Sequence, residues 1–563
     1  MGGREELEAL RGRIESAVLG LPTAASAAGE SARLRALRRL DDFVLPRVDS
    51  LDAPLVAVIG GSTGAGKSTL VNALVGARVS SSSPVRPTTR RPLLVHRASD
   101  APWFDSQRIL PGLARIRVAP DAPPTPAGAG GTKEVELRAS QSLPEGLALI
   151  DSPDIDSVSA ENRALSRQLL DAADLWIFVT TAARYADAVP WELLDEAAAS
   201  GLVLAVVLNR VPPEAREPVE ADLRALMNSR GLAAAPIIAI EEQRLVEGEL
   251  PSAAVEPLAQ WLAGLASDAE SRREVARQAL SGAVADVAQA AGLVANAIDE
   301  GEAERSRASL VVDALESDAL ERLGDATADG SLLRGEVLAR WQDVVGAADF
   351  TRSLTRTVSQ IRDRLTAWVT GRPAPIAPVE DALEAGLASL VLAELLRVGD
   401  EVVEHWGRAE STRLLARRAA PPSTEEAQTR ALDLTREWQA ALLALVRSEG
   451  QSKRSTARIA AVGVNVVSVA LIIAVFASTG GLTGAEVGIA GASAVVAQKL
   501  LETIFGEQAV RTMAKTARDD LMHRMKEALD ETVAPLRAAL PEPASGEELR
   551  EAAKEAARSW RSR

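Results

Sequence analysis

The stretch Leu55-Val56-Ala57-Val58-Ile59-Gly60-Gly61-Ser62-Thr63-Gly64-Ala65-Gly66-Lys67-Ser68-Thr69 decides how the chain is read. An apolar run of strand length breaks at once into glycines and then into a helix start. Gly61 to Ser68 meets the spacing G-x-x-x-x-G-K-[ST] without a mismatch, after a strand and before a helix. Each residue type has a physical reason. Glycines let the backbone wrap a phosphate chain closely, and the N–H groups of such a loop converge on an anion. The helix that follows, Lys67–Val75, aims its positive end at the same point. Lys67 is expected to reach the β- and γ-phosphates and to act catalytically by stabilising their charge, and the Ser68 hydroxyl to ligate Mg2+. The predicted nucleotide-binding loop is therefore Gly61, Ser62, Thr63, Gly64, Ala65, Gly66, Lys67, Ser68 and Thr69.

Outward from this loop, apolar runs recur at Leu93–His96, Leu147–Ile150, Leu175–Thr180, Val203–Leu208 and Pro236–Ile240, separated by helical patterns. Near-continuous apolar strands alternating with helices predict a mainly parallel sheet covered on both faces. Ala119–Gly131, rich in Pro and Gly, reads as a loop. Leu147-Ala148-Leu149-Ile150-Asp151 ends an apolar strand in an acid, the place for a carboxylate that holds the metal. A turn cap is the plainer role for Asp151, but a phosphate loop requires such a partner. Between the two lies Pro84-Val85-Arg86-Pro87-Thr88-Thr89-Arg90. A hydroxyl here, on Thr88 or Thr89, would complete the Mg2+ shell and sense the γ-phosphate, making both threonines metal and catalytic candidates. The sequence does not choose between them, and a plain solvated loop is the alternative.

The order of these motifs, followed by Leu208-Asn209-Arg210, resembles the G1–G4 series of translation-factor-class GTPases. With a helical region and an apolar hairpin behind it, the chain is similar to bacterial dynamin-like proteins and related membrane GTPases. The motif match covers about 53–250, and the remainder is similar in architecture only. The resemblance implies GTP as substrate with Mg2+ as cofactor, and nucleotide contacts from Asn209 and Arg210. It further implies a GTPase head on a helical stalk whose tip inserts into lipid. The heads would pair, as a homodimer or with a paralogue, at the cytoplasmic face of the cell membrane. An arginine, Arg86 or Arg90, would reach the site in such a pair.

Three positions depart from that family pattern. Asp154 replaces the glycine of D-x-x-G, and Asn209-Arg210-Val211-Pro212 lacks the Asp of [NT]-K-x-D that reads the guanine edge, which leaves ATP open as substrate. Gly64 stands where dynamins hold a serine, and no evident glutamine follows Asp154 to orient water.

With 563 residues the chain exceeds a single core, and its 47% hydrophobic and 25% charged residues are those of folded protein. Aromatics at 3% suit long helices better than a sandwich or barrel. The net charge of −15 speaks against a nucleic-acid partner. Zero cysteines exclude disulfides and thiolate zinc sites, and His96, His405 and His523 are too scattered for a histidine metal site. The N-terminus MGGREELEAL does not read as a signal peptide.

The fold class expected is an α/β P-loop G domain joined to a long all-α stalk with an apolar helical hairpin. The expected divisions are N-terminal helices packing with the stalk over 1–52, the GTPase domain over 53–268, the stalk over 269–457, the hairpin over 458–505 and C-terminal stalk helices over 506–563. Ile459–Ala477 is predicted as a membrane-contacting helix, either crossing the bilayer or dipping into it, since a run of about 18 or more apolar residues favours a membrane segment. Val487–Ala497 would return, so lipid contact runs through 459–497, flanked by Lys453, Arg454, Arg458 and Lys499. The competing reading is a buried hairpin at the centre of a helical bundle. Two other functions fit the motifs less completely: a nucleotide-regulated scaffold with little hydrolysis, and an ABC-like ATPase, for which the chain shows no LSGGQ-like helix.

Overall fold

The computed structural model describes residues 2–561 apart from 82–90, 107–108, 111, 127–130, 132, 155–159, 188–190, 193, 196, 198–201, 247–248, 329–376, 451–457, 461 and 478–488. The chain divides into two compact units. The first comprises residues 1–19, 24–300 and 544–563, and the second residues 20–23 and 301–543. This differs from the expected borders. The N-terminal helices Gly2–Ser16 and Ser26–Arg39 and the C-terminal helix Glu547–Arg561 all lie in the unit of the sheet, which also takes the helix Ala269–Ala328 as far as Glu300. The physical reason is a shared apolar core. Leu7, Leu10 and Ile14 are fully buried with Leu280, Val287, Val294, Ala556 and Trp560 and with sheet residues Trp176, Phe178 and Val206. The Trp560 Nε1–H is satisfied by Ser281 Oγ at 2.8 Å.

Among the described residues the sheet of the first unit has eight strands: β1 (Leu55–Gly61), β2 (Leu93–His96), β3 (Ala114–Val118), β4 (Glu134–Ala139), β5 (Leu147–Asp151), β6 (Leu175–Thr181), β7 (Val203–Val211) and β8 (Ile237–Glu241). Their order is β3-β4-β2-β5-β1-β6-β7-β8, and every pair is parallel except β2 with β5. The expected mainly parallel α/β sheet is therefore present. β1 is buried at all seven positions between β5 and β6, which places the phosphate loop over the centre of the sheet.

β3 and β4 have no counterpart among the expected strands. β4 reads Glu-Val-Glu-Leu-Arg-Ala, too polar to look like a core strand, yet Glu136 and Arg138 are both buried. They pair with each other at 3.0 Å and also bind the preceding loop, Arg138 Nη1 to Ala122 O at 2.6 Å and Thr125 Oγ1 to Glu136 at 2.5 Å. Buried charge is tolerated there because it is paired and hydrogen-bonded.

A second buried pair ties the helix Leu45–Val48 to the sheet. Arg47 Nε lies 3.0 Å from Asp174 Oδ1 without hydrogen-bond alignment, and Arg47 Nη1 donates to the carbonyls of Ser50 and Ala53. Asp174 Oδ2 accepts the Val56 N–H at 2.8 Å at the start of β1. Burial nevertheless pushes the Asp174 carboxyl above its ordinary pKa. Asp174→Ala leaves the Arg47 cation buried and unpaired, and is expected to destabilise the first unit by about 3–5 kcal/mol in denaturant unfolding.

The second unit is helical, with Ala377–Arg408, Arg413–Arg418, Thr424–Glu449, Val464–Ala477, Ile489–Phe505 and Glu507–Ala538 around one core. Ser423 and Glu426 form a reciprocal capping box that starts Thr424–Glu449. Buried Trp406 and Trp438 satisfy their indole N–H groups on the carbonyls of Ala308 and Ala517.

The apolar segment differs from the membrane-crossing expectation. Gly463, at φ +95°, interrupts the run, leaving a 14-residue helix Val464–Ala477. At ~1.5 Å per residue it is about 21 Å long, short of a hydrocarbon layer of about 30 Å. Among the described residues no helix is long and apolar enough to cross a membrane. From Val466 to Phe476 every side chain is buried, held among Thr424–Glu449, Ile489–Phe505 and Glu507–Ala538. A helix that is apolar on every face must be enclosed, and here protein encloses it. Phe476 lies 5.6 Å from Trp438 between ring centroids, and Arg458 Nη1 donates to Thr503 O, joining the bases of the two apolar helices. Lys453 and Arg454 lie outside the described residues.

Candidate functional site

β1 delivers its chain into the phosphate loop through Gly61, where the close approach of strands leaves no room for a side chain. A Cβ on Gly61 would stand 2.0 Å from Val179 O of β6. Gly64 and Gly66 have φ of +77° and +95°, values that L-residues rarely adopt, and a Cβ on Gly66 would meet Asn209 Nδ2 at 2.5 Å. The loop then enters the helix Lys67–Val75.

The structure brings Lys67 and the residues at and after the end of β5 together. Lys67, 6% exposed, donates from Nζ to Gly61 O at 3.0 Å and Ser62 O at 3.2 Å, and contacts Asp154 Oδ1 at 2.5 Å. Asp151 at the end of β5 is fully buried, and its Oδ2 accepts from Ser68 Oγ at 2.9 Å and from Ser80 Oγ at 2.5 Å. Its Oδ1 has no hydrogen-bond partner, nor does the buried Ser62 Oγ.

These groups fit a divalent cation of the Mg2+ type. The donors are a carboxylate oxygen without a partner and a hydroxyl, all hard oxygen, and Mg2+ in nucleotide sites takes one or two carboxylates plus phosphate oxygens and water. Among the described residues no group of three or more acidic or histidine side chains could hold a metal by itself.

Burial pushes the Asp151 carboxyl upward from its ordinary pKa, against the lowering effect of both serine hydroxyls and of Lys67. A carboxyl with a raised folded pKa contributes stability below its unfolded pKa, and that contribution is lost as pH rises through the folded value. Cation binding needs the carboxylate and so runs the other way. The thermal stabilisation given by Mg2+ with tripolyphosphate is expected to shrink on acidification, starting above the ordinary carboxylate range. A stabilisation constant down to that range would contradict this.

Asn209, buried on β7, donates from Nδ2 to Ala65 O at 2.8 Å and accepts the Arg210 N–H on Oδ1 at 3.0 Å, holding the phosphate loop from the far side. Arg210 has φ +53°, an uncommon backbone conformation for a side-chain-bearing residue, directly beside the loop. Thr88, Thr89, Arg86 and Arg90 lie outside the described residues.

Several contacts lie beyond the reach of the sequence. Ser80 joins Asp151 because Asn72 clamps it, accepting the Ser80 N–H and donating to the Ser80 carbonyl. Arg184, after β6, donates to Thr63 O at 2.8 Å. The acidic loop itself is pinned: Ser152 Oγ donates to Ile59 O, and Ser166 Oγ to Pro153 O. Only the run of serines at 80–83 offered a signal, and it named no partner.

A central strand feeding a glycine loop and helix, with Lys67, Ser68 and Asp151 converging, defines a P-loop nucleotide-binding domain. Residues 56–211, from β1 to the end of β7, match the family described as the dynamin family. No curated protein matches the chain. Among solved structures, one from an oligomerised bacterial dynamin pair, described as sensing and tethering membranes, is 11% identical over 98% of this chain and 82% of its own, with a TM-score of 0.29. An Era variant from Aquifex aeolicus bound to GDP and AlF4− is 20% identical over 37% of this chain and 56% of its own, at 0.22. Toc33 from Arabidopsis thaliana with Mg2+ and GMPPNP is 14% identical over 42% of this chain and 92% of its own, at 0.24.

Proposed function

We propose that the chain is a dynamin-like GTPase that binds and hydrolyses GTP with Mg2+ and acts at the cytoplasmic face of the cell membrane. The observation that supports this best is the convergence of Lys67, Ser68 and Asp151 inside the segment that matches the dynamin family. In the proposed reaction water attacks the γ-phosphorus and the bond to the β–γ bridging oxygen breaks. Lys67 offsets charge on the β- and γ-oxygens, and the loop amides cradle the phosphates. Ser68 and Asp151 would hold Mg2+, with Thr88 or Thr89 completing the set, and the ion supplies charge neutralisation at the phosphate oxygens when bound. Asn209 fixes the loop at Ala65, and Arg210 flanks the nucleotide. With no glutamine evident after Asp154, turnover is expected to be slow until two heads pair, with a second copy or a paralogue, and Arg86 or Arg90 enters the site.

Membrane contact is assigned to 459–497. Because Val466–Phe476 is enclosed by protein, lipid contact through it requires the helical unit to open. Flotation with anionic liposomes tests this. The protein is expected to float with a non-hydrolysable GTP analogue and to float less without nucleotide. Equal absence of flotation under both conditions would remove the membrane assignment.

One observation favours a second reading, a nucleotide-regulated membrane scaffold with little hydrolysis: Asp154 stands at the glycine position of D-x-x-G and is engaged with Lys67. Binding without turnover would select it. A preference for ATP would mean that Pro212, in place of the guanine-reading Asp, decides the base.

A further inference from the structure

An ammonium group has three N–H donors. In this site the partners of Lys67 Nζ are Gly61 O, Ser62 O and Asp154 Oδ1, so the protein already engages all of its donors. Two of these partners are neutral carbonyls of the phosphate loop itself. The third is an anion, 2.5 Å away, on a side chain 16% exposed facing a lysine 6% exposed. Its backbone is placed from outside the loop: Ser152 is held on Ile59 O and Pro153 O receives the Ser166 hydroxyl. The Asp154 carboxylate is thus presented to Lys67 by a fixed scaffold, at the point where a P-loop lysine meets phosphate oxygen. Asp151, fully buried, lies within electrostatic reach of both Lys67 and Asp154.

We propose that Asp154 is a specificity-determining residue that occupies the phosphate position on Lys67, so that only a polyphosphate anion able to displace its carboxylate enters the site. This rests on the reading of the loop as a nucleotide site. The ligand class is a nucleoside triphosphate with its divalent cation, whose terminal phosphate carries the charge needed to win Lys67. A diphosphate competes less well, and a monophosphate does not reach the lysine. When the phosphate takes Lys67, Asp154 is released, and the acidic loop of Pro153 and Asp154 registers the presence of the terminal phosphate. The glycine common at this position has no side chain with which to do this.

The test compares wild type with Asp154→Asn, which keeps the shape and removes the charge, and Asp154→Gly, which restores D-x-x-G. Binding of Mg2+ with GTP, GDP, GMP and the base-free probe tripolyphosphate is measured by calorimetry, together with thermal unfolding with and without each ligand. Both variants are expected to bind GTP and tripolyphosphate about tenfold more tightly, a difference of ~1.4 kcal/mol. The gain should be at least as large for GDP, so that the preference for the triphosphate narrows, and absent for GMP. The ligand-free variants should melt at a lower temperature than wild type, because Lys67 has lost its counter-ion, while the ligand-bound forms should not. Unchanged or weaker triphosphate binding in both variants, with wild type binding normally, overturns the role of Asp154 and leaves the nucleotide site standing. Failure of wild type and both variants to bind any of the probes overturns the nucleotide site as well. Tightening in the variants alone supports the proposal in its strongest form.

Discussion

Lys67→Ala is expected to weaken binding of Mg·GTP by at least about 100-fold, with the helical content of the chain unchanged. Truncating one partner of a buried, hydrogen-bonded charge pair costs about 2–5 kcal/mol, and the low end of that range already exceeds a tenfold loss. Two features of this site add to the effect. Lys67 is the cation that faces both Asp151 and Asp154, so its removal leaves carboxylates without a counter-ion where an anion must enter. Its donors also hold Gly61 O and Ser62 O, so the loop loses an internal tie. Calorimetry reads the affinity and circular dichroism the fold. Retained binding of GTP by a folded Lys67→Ala protein would contradict the placement of the site.

The second large effect concerns the apolar helix. Val467→Asp is expected to destabilise the helical unit by about 3–5 kcal/mol, because an ionised carboxylate would have to enter a dry core without a partner. Val467 is fully buried, whereas Asn465, two residues earlier on the same helix, is exposed. Asn465→Asp serves as the matched control and is expected to shift stability by less than about 0.5 kcal/mol. Denaturant unfolding followed through tryptophan fluorescence suits the test, since Trp438 packs against Phe476 of this helix. An unshifted transition for Val467→Asp would mean that the helix is not enclosed in solution and that lipid is the better partner for its side chains.

What could be read from the sequence was local. Strand, glycine loop, lysine and helix follow one another within Leu55–Val75, and backbone conformation alone determines that geometry. The position of Asp151 was equally legible, because the apolar run Leu147–Ile150 places it at a strand end. β4 was not, because Glu136 and Arg138 satisfy each other inside the fold and polar alternation hides such a pair. The place of Asp154 was noted as a departure from D-x-x-G, but its partner could not be, since Lys67 lies 87 residues away and meets it only through the sheet. The length of the apolar helix was hidden for a related reason. Hydropathy counts side chains and is blind to Gly463, whose positive φ ends the helix before it reaches membrane length. The N-terminal helices carried the right amphipathic pattern, but pattern does not say which core receives them. Leu7, Leu10 and Ile14 join the unit of the sheet.

The most direct measurement is phosphate release by the purified chain with Mg2+, supplied with GTP or ATP, in the presence and absence of anionic liposomes. The account predicts release from GTP in preference to ATP, slow in solution and faster on liposomes. Release from neither nucleotide, with or without lipid, would contradict it.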